Sequence, residues 1–301
     1  MSEHLTRRAR LFRRVVLPLT ALVLVALGTG IALAVDHGPH KGAARNPAAT
    51  SAGSAPPPTA ATTTPTTAAT PAPPTTTPAA QPLAGRVVGI DPGHNGQNGA
   101  NPSVINALVW NGRANETCDT TGTETDSGYT EAQFNWNVAQ YLTSDLQAEG
   151  AHVVLTRNSN DGVGPCVNTR AQILDDAHAD VAVDIHADGG PASGRGFAIL
   201  EPVADGTNAA VITSSDAFGT IVRNTFAATT SMPISTYDGT AGFAPRTDLA
   251  GLNLTTVPKI LIECGNMRNA TDAALLTSPA FQQLAAKALA QSVTTFLTPT
   301  S

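Results

Sequence analysis

The chain has 301 residues, a formal net charge of −6, 22 prolines, 26 glycines and an aromatic content of 4%. Its length admits two ordinary domains, but the stretch from Pro47 to Pro82 holds 11 Thr, 11 Ala and 10 Pro in 36 residues, with no charge and no aromatic side chain, and cannot build a core. Residues 1–46 carry seven Lys/Arg against two Asp/Glu, whereas 85–301 carry ten against 21, so the part able to fold is acidic by 21 − 10 = 11 charges. Binding to nucleic acid depends on neutralising phosphates, so this balance excludes a basic nucleic-acid binder. The composition equally excludes a multi-span membrane protein, a coiled coil and a disulfide-rich miniprotein.

The chain divides into a head at 1–35, a disordered Ala/Pro/Thr-rich linker at 36–84 and a folded domain at 85–301. In the head, Arg7, Arg8, Arg10, Arg13 and Arg14 precede an uncharged run from Val15 to Val35, 21 residues long. As a helix it would span about 31 Å, close to the ~30 Å of a bilayer core. The arginines hold the N-terminus inside, so everything after the run is exported to the extracellular, periplasmic or cell-wall space. Ala32-Leu33-Ala34 offers a cleavage site, and Pro18, Gly28 and Gly30 weaken a membrane helix. The length of the run suits an anchor that keeps residues 15–35 in the membrane, and the sequence leaves both readings open. The linker favours extended conformations and acts as a spacer from a membrane or into a wall.

From Gly85 onward, short apolar runs alternate with helical periodicity. Arg86 to Asp91 reads as a buried strand that ends at Pro92-Gly93, and a long polar stretch follows from Asn95 to Thr130. Phe134, Val138, Leu142 and Leu146 form an i, i+4 stripe on a helix from Glu131 to Gly150. Next come a strand at His152 to Thr156, a helix at Asn168 to Ala179, and strands at Val181 to His186 and Gly196 to Leu200. The remainder reads as a helix at Asn208 to Phe226, a strand at Lys259 to Glu263, and one closing helix from Asp272 to Phe296. This alternation predicts a single α/β domain, a sheet of mainly parallel strands covered by helices, with chemistry at the carboxyl ends of the strands.

Three polar residues stand at such ends: His94 after V-V-G-I-D-P-G, His186 in V-D-I-H-A-D and Glu263 in K-I-L-I-E-C-G. A fourth, Glu131, opens the long helix. Buried polar groups need partners, and two His with two Glu at one edge of a sheet point to a shared site rather than to four separate structural roles. Two imidazoles and a carboxylate with an open position make a hydrolytic zinc site, and a further carboxylate then carries the proton. Glu116 and Glu124 lie in the same polar stretch as Glu131, and periodicity does not separate them.

At these residues the sequence resembles a known family. V-G-I-D-P-G-H-N-G at 88–96, the helix start at Glu131, V-D-I-H-A-D at 183–188 and I-E-C-G-N-M-R-N at 262–269 are together similar to the zinc-dependent N-acetylmuramoyl-L-alanine amidases of the type-3 catalytic domain, over about residues 86–297. The resemblance implies His94, Glu131 and His186 as zinc ligands and Glu263 as the catalytic carboxylate. It selects Glu131 over the other two, a choice supported by its place on a packed helix. It also implies a peptidoglycan or muramyl-peptide substrate, cut at the amide between the muramic lactyl group and L-Ala of the stem peptide. A zinc hydrolase of another envelope amide and an inactive wall-binding module are the competing readings, and the second has no need of Glu263.

Asp91 and Asp184 flank the two His and are candidates to orient the imidazoles or to bond loop amides. Arg246 is a candidate partner for a substrate carboxylate, with an ordinary surface arginine as its alternative. Of the three cysteines, Cys118 and Cys166 lie in polar loops of an exported chain and are expected to pair, which leaves Cys264 as a buried thiol. The catalytic domain is expected to be monomeric.

Overall fold

The computed structural model describes residues 81–299. The head, with the run at 15–35 expected to meet a membrane, and the linker up to residue 80 lie outside the described residues. Among the described residues no helix is long and apolar enough to cross a membrane. Within the stretch read as linker, Leu83 is fully buried in the main core and its N–H donates to Glu149 O at 2.9 Å.

A six-stranded sheet organises the domain. Its strands are β1 (Val87–Pro92), β4 (His152–Leu155), β5 (Val181–Asp188), β6 (Ala198–Pro202), β7 (Phe243–Arg246) and β8 (Lys259–Asn266). They lie in the order β4-β1-β5-β8-β6-β7, and every neighbouring pair is parallel except β6 with β8. Two-residue periodicity sorts the two faces. Val181, Val183 and Ile185 of β5 enter the main core, where they meet α2 (Glu131–Ala148), α4 (Ile212–Thr230) and α7 (Pro279–Leu297). The stripe Phe134, Val138, Leu142 and Leu146 is fully buried there. Each such side chain contributes about 1.5–3 kcal/mol by leaving water.

The opposite face holds two small apolar clusters. Ala198, Leu200, Ala244, Leu252 and Leu261 make one, and Leu174, Ala182, Ala179 and Val257 make the other, under α3 (Val167–Asp176) and α5 (Ala250–Asn253). Asp184 and His186 share this face with Ala182 by alternation along β5. The polar residues thus emerge where the second layer is thin.

Three expectations are corrected. The polar stretch 95–130 contains α1 (Pro102–Ile105) and a two-stranded hairpin of β2 (Leu108–Trp110) and β3 (Asn115–Thr117), elements too short for periodicity to reveal. The strand β7 was missed because Pro245 interrupts it, which an edge strand tolerates. The single closing helix is two, α6 (Ala270–Leu276) and α7, because Pro279 holds Ser278 in an extended conformation with ψ of 122°.

A disulfide joins Cys118, just past β3, to Cys166, the N-cap of α3, across a separation of 48 residues, while Cys264 is free and buried. Closing a loop of that length removes denatured-state entropy worth about 4 kcal/mol on the chain-entropy account. The paired Cys118→Ser, Cys166→Ser variant is therefore expected to lose close to that amount in urea unfolding, with a steeper slope because the unbridged denatured chain is more expanded. A loss under about 1 kcal/mol would show that the loop is held by its other contacts.

Candidate active site

Since β1, β5 and β8 are adjacent and parallel, their carboxyl ends lie side by side, and the register sets His186 of β5 directly opposite Glu263 of β8. His94 follows β1 by two residues and has a φ of 59°, in the left-handed region. A residue other than glycine costs about 1–3 kcal/mol there and persists only when its surroundings impose it. The carbonyl of His94 accepts from Arg170 Nη2 at 2.8 Å, and Gly93 N donates to Ile185 O at 3.0 Å, so both flanks of the turn are fixed.

Glu131 reaches the same place from the other layer. The cap of α2 is supplied by Thr130, whose hydroxyl accepts from Gln133 N, so the Glu131 carboxylate is left to turn toward the strands. Its Oε1 lies 2.8 Å from His186 Nδ1 and its Oε2 lies 3.2 Å from His94 Nε2. The backbone N–H groups of Thr123 and Ala187 donate to the same two oxygens at 2.9 and 3.2 Å. The imidazoles stand edge to face with ring centres 4.8 Å apart. One atom each from His94, Glu131 and His186 can be chosen so that all lie within 4.8 Å of one another.

The far nitrogen of each ring faces another carboxylate. His94 Nδ1 is 3.3 Å from Asp119 Oδ1 and 3.2 Å from Thr120 O, and His186 Nε2 is 3.2 Å from Asp184 Oδ1, without hydrogen-bond alignment in the latter case. Burial alone would lower both histidines. The carboxylates overrule it, bringing His94 to about 9 and His186 well above its ordinary value. Burial would likewise raise Glu131, yet the two imidazoles hold it well below the usual carboxylate range. A pair of imidazole nitrogens facing one ionised carboxylate, each ring backed by a second acid, is a donor set that a divalent metal ion fits.

Glu263 differs from Glu131 in every respect that matters for proton transfer. Its Oε2 is buried with no hydrogen-bond partner, and burial pushes its pKa up to about 8, with His186 opposing and Glu131 and Asp188 assisting. A carboxyl poised near neutrality beside an ionised one is the pattern of a proton carrier next to a ligand.

Two glycines make room for these side chains. A Cβ on Gly93 would lie 2.1 Å from His186 Nε2 and Cε1, and one on Gly122 would lie 2.7 Å from His94 Cδ2 and 2.8 Å from Glu131 Oε2. Arg157 clamps the site from behind, donating to Pro92 O at 2.8 Å and Ala132 O at 3.0 Å, so that the end of β1 and the first turn of α2 keep one spacing.

Among the other expected residues, Asp184 meets His186, whereas Asp91 touches neither imidazole. It instead receives Thr156 Oγ1, Arg170 Nη1 and Lys259 Nζ at 2.6, 3.0 and 2.6 Å. Arg246 is engaged by Asp248 through two bonds of 2.7 Å, from Nε and Nη2. Asp119, Arg157, Arg170 and Lys259 escaped notice in the sequence. For Lys259 the signal was present, because alternation along K-I-L-I-E puts Lys259, Leu261 and Glu263 on one face. Beside the imidazoles lies a cavity of about 160 Å³, lined among others by Glu116, Thr117, Leu249, Gly251 and Leu261. The polar stretch after β1 therefore walls the site through β3.

The whole folded part has relatives. An N-acetylmuramoyl-L-alanine amidase of Mycobacterium tuberculosis is 42% identical over 216 residues, which cover 71% of this chain and 88% of that protein. The crystal structure of the N-acetylmuramyl-L-alanine amidase Ami1 of Mycobacterium smegmatis matches with a TM-score of 0.67 at 39% identity, covering 71% of this chain and 98% of that one. The apo form of Ami1 from Mycobacterium abscessus matches with a TM-score of 0.68 at 41% identity, covering 72% and 100%. Residues 88–295 fit the family model described as N-acetylmuramoyl-L-alanine amidase, and with two thirds of its length so matched the chain belongs to the N-acetylmuramoyl-L-alanine amidase family.

Proposed function

We propose that the protein hydrolyses the amide joining the lactyl group of N-acetylmuramic acid to L-Ala of the stem peptide in peptidoglycan or its muramyl-peptide fragments. The observation that carries this reading is the separation of two acids at one site. Glu131 is ionised and shared between His94 and His186, while Glu263, opposite His186 on the next strand, is half-buried, with one oxygen buried and unpaired and a raised pKa. In the proposal His94, Glu131 and His186 hold zinc, which bound there would polarise the amide carbonyl and acidify a water molecule.

The chain's own residues do the rest. Glu263 takes the proton from the attacking water and hands it to the departing amine of L-Ala, since its pKa of about 8 lets it exchange protons near neutrality. Gly93 and Gly122 let the imidazoles and Glu131 approach without displacement. The disulfide supports an oxidising compartment, in keeping with export through the segment 15–35, cleaved or retained.

The test is chemical. Dialysis against a chelator should abolish release of stem peptide bearing a free L-Ala amine from a muramyl-peptide, and added zinc should restore it. Release that persists in the metal-free protein, or cleavage only at another amide, would overturn the proposal.

A further inference from the structure

The two imidazoles are joined behind the site by a continuous row of buried charges. His186 Nε2 faces Asp184 Oδ1 at 3.2 Å, and Asp184 Oδ2 lies 3.2 Å from Lys259 Nζ. The same ammonium is 2.6 Å from Asp91 Oδ2, and Asp91 Oδ1 is 3.0 Å from Arg170 Nη1. Arg170 Nη2 then reaches Asp119 Oδ2 at 3.1 Å, and Asp119 Oδ1 is 3.3 Å from His94 Nδ1. The signs alternate from acid to base and back across five residues. Lys259 is 0% exposed, and Asp91, Asp119 and Arg170 are nearly as deep.

Such a row is a poor device for stability alone. Taking ions from water is expensive, and an apolar filling of equal volume commonly serves a fold as well or better. What an apolar filling lacks is direction. A carboxylate behind an imidazole decides which ring nitrogen carries the proton, and so which one faces forward with its lone pair. Here Asp184 and Asp119 back His186 Nε2 and His94 Nδ1, leaving His186 Nδ1 and His94 Nε2 toward Glu131. The two acids would be free to swing were they not held, and the group that holds Asp184 is Lys259. Gly251 of α5 closes the remaining side, since a Cβ there would lie 3.0 Å from Lys259 Nζ and 3.4 Å from Asp184 Oδ2.

With both imidazoles neutral, the row carries three acids and two bases, a net −1, and Glu131 adds a second negative charge. Together these six groups carry −2, opposite in sign to a divalent cation. We infer that Lys259 is a positioning residue for the metal site, acting through Asp184 on His186 and through Asp91, Arg170 and Asp119 on His94, so that both rings present fixed nitrogens without Lys259 touching either. This rests on the metal reading proposed above.

The experiment uses the full chain freed of metal, with zinc affinity measured by competition against a chromophoric chelator and the visible spectrum of the cobalt-loaded protein as a second readout. Asp184→Asn keeps shape, and Lys259→Met keeps the length of the stem while deleting its charge. Each is expected to weaken zinc by 10–100-fold and to shift the cobalt bands. The double variant leaves a neutral pair, so it should recover thermal stability lost by Lys259→Met, and its loss of zinc affinity should be smaller than the sum of the two single losses, because the part of the Lys259 effect that runs through Asp184 is shared. If Lys259→Met does not fold, Asp184→Asn and the double variant carry the comparison. Unchanged affinity and spectrum in the double variant would overturn the inference, as would additive losses. A wild-type protein that binds no zinc would instead overturn the metal reading itself.

Discussion

Glu263→Gln is expected to keep its metal and lose its turnover. The amide preserves the shape and hydrogen-bonding reach of the carboxyl but cannot accept a proton, and the Glu263 side chain has no part in the contacts that bring His94, Glu131 and His186 together. Removing a general acid–base group lowers rates by about 10²–10⁴, and the loss here should reach the upper end because the same carboxyl serves both the attacking water and the leaving amine. Glu131→Gln should behave in the opposite order. Its oxygens receive four groups, two imidazoles and two backbone amides, and loss of the negative charge removes a donor from the metal set itself. Zinc content and stem-peptide release measured side by side on the two variants decide the assignment. If Glu263→Gln loses zinc while Glu131→Gln retains it, the roles are reversed; if Glu263→Gln turns over normally, the mechanism is gone.

Gly93→Ala is expected to be the most damaging addition of a single methyl group anywhere near the site. The new Cβ would sit 2.1 Å from His186 Nε2, less than any non-bonded contact allows, and His186 is flanked by Asp184 and Glu131 with little room to yield. The imidazole must leave its place, so metal affinity should fall by more than the 10–100-fold associated with loss of a partner that merely orients a ligand. The fold should survive, because the strand registers below Gly93 do not depend on it. Circular dichroism unchanged together with zinc lost is the expected pair of results. A Gly93→Ala protein with normal zinc binding would show that the loop after β1 adjusts without cost.

What the sequence disclosed and what it hid follow one physical line. The V-A-V-D-I-H-A-D run announced a strand with two unlike faces, and its end carried a histidine, because strand periodicity and burial are local properties. The helix from Glu131 was legible for the same reason, down to the four residues of its stripe. The hairpin at Leu108–Trp110 and Asn115–Thr117 was not, since three-residue strands leave no period to read. Pro245 lies within an edge strand and Pro279 at a helix start, so the meaning of a proline depends on whether it sits at an edge, in an interior or at a start. The ionic row was hidden most thoroughly. Lys259 and Asp91 are separated by 168 positions, and nothing near either of them hints at the other.

The order of the strands has a consequence for how the molecule comes into being. Three of the four functional side chains, His94, Glu131 and His186, precede residue 187, and the strand bearing Glu263 is the last of the sheet to be made, yet it lies in the middle, between β5 and β6. A chain emerging from its N-terminus can therefore display the whole set of groups around Glu131 and still lack both its proton carrier and the lysine behind His186. Hydrolytic competence therefore depends on the strand that is last in the chain and central in the sheet.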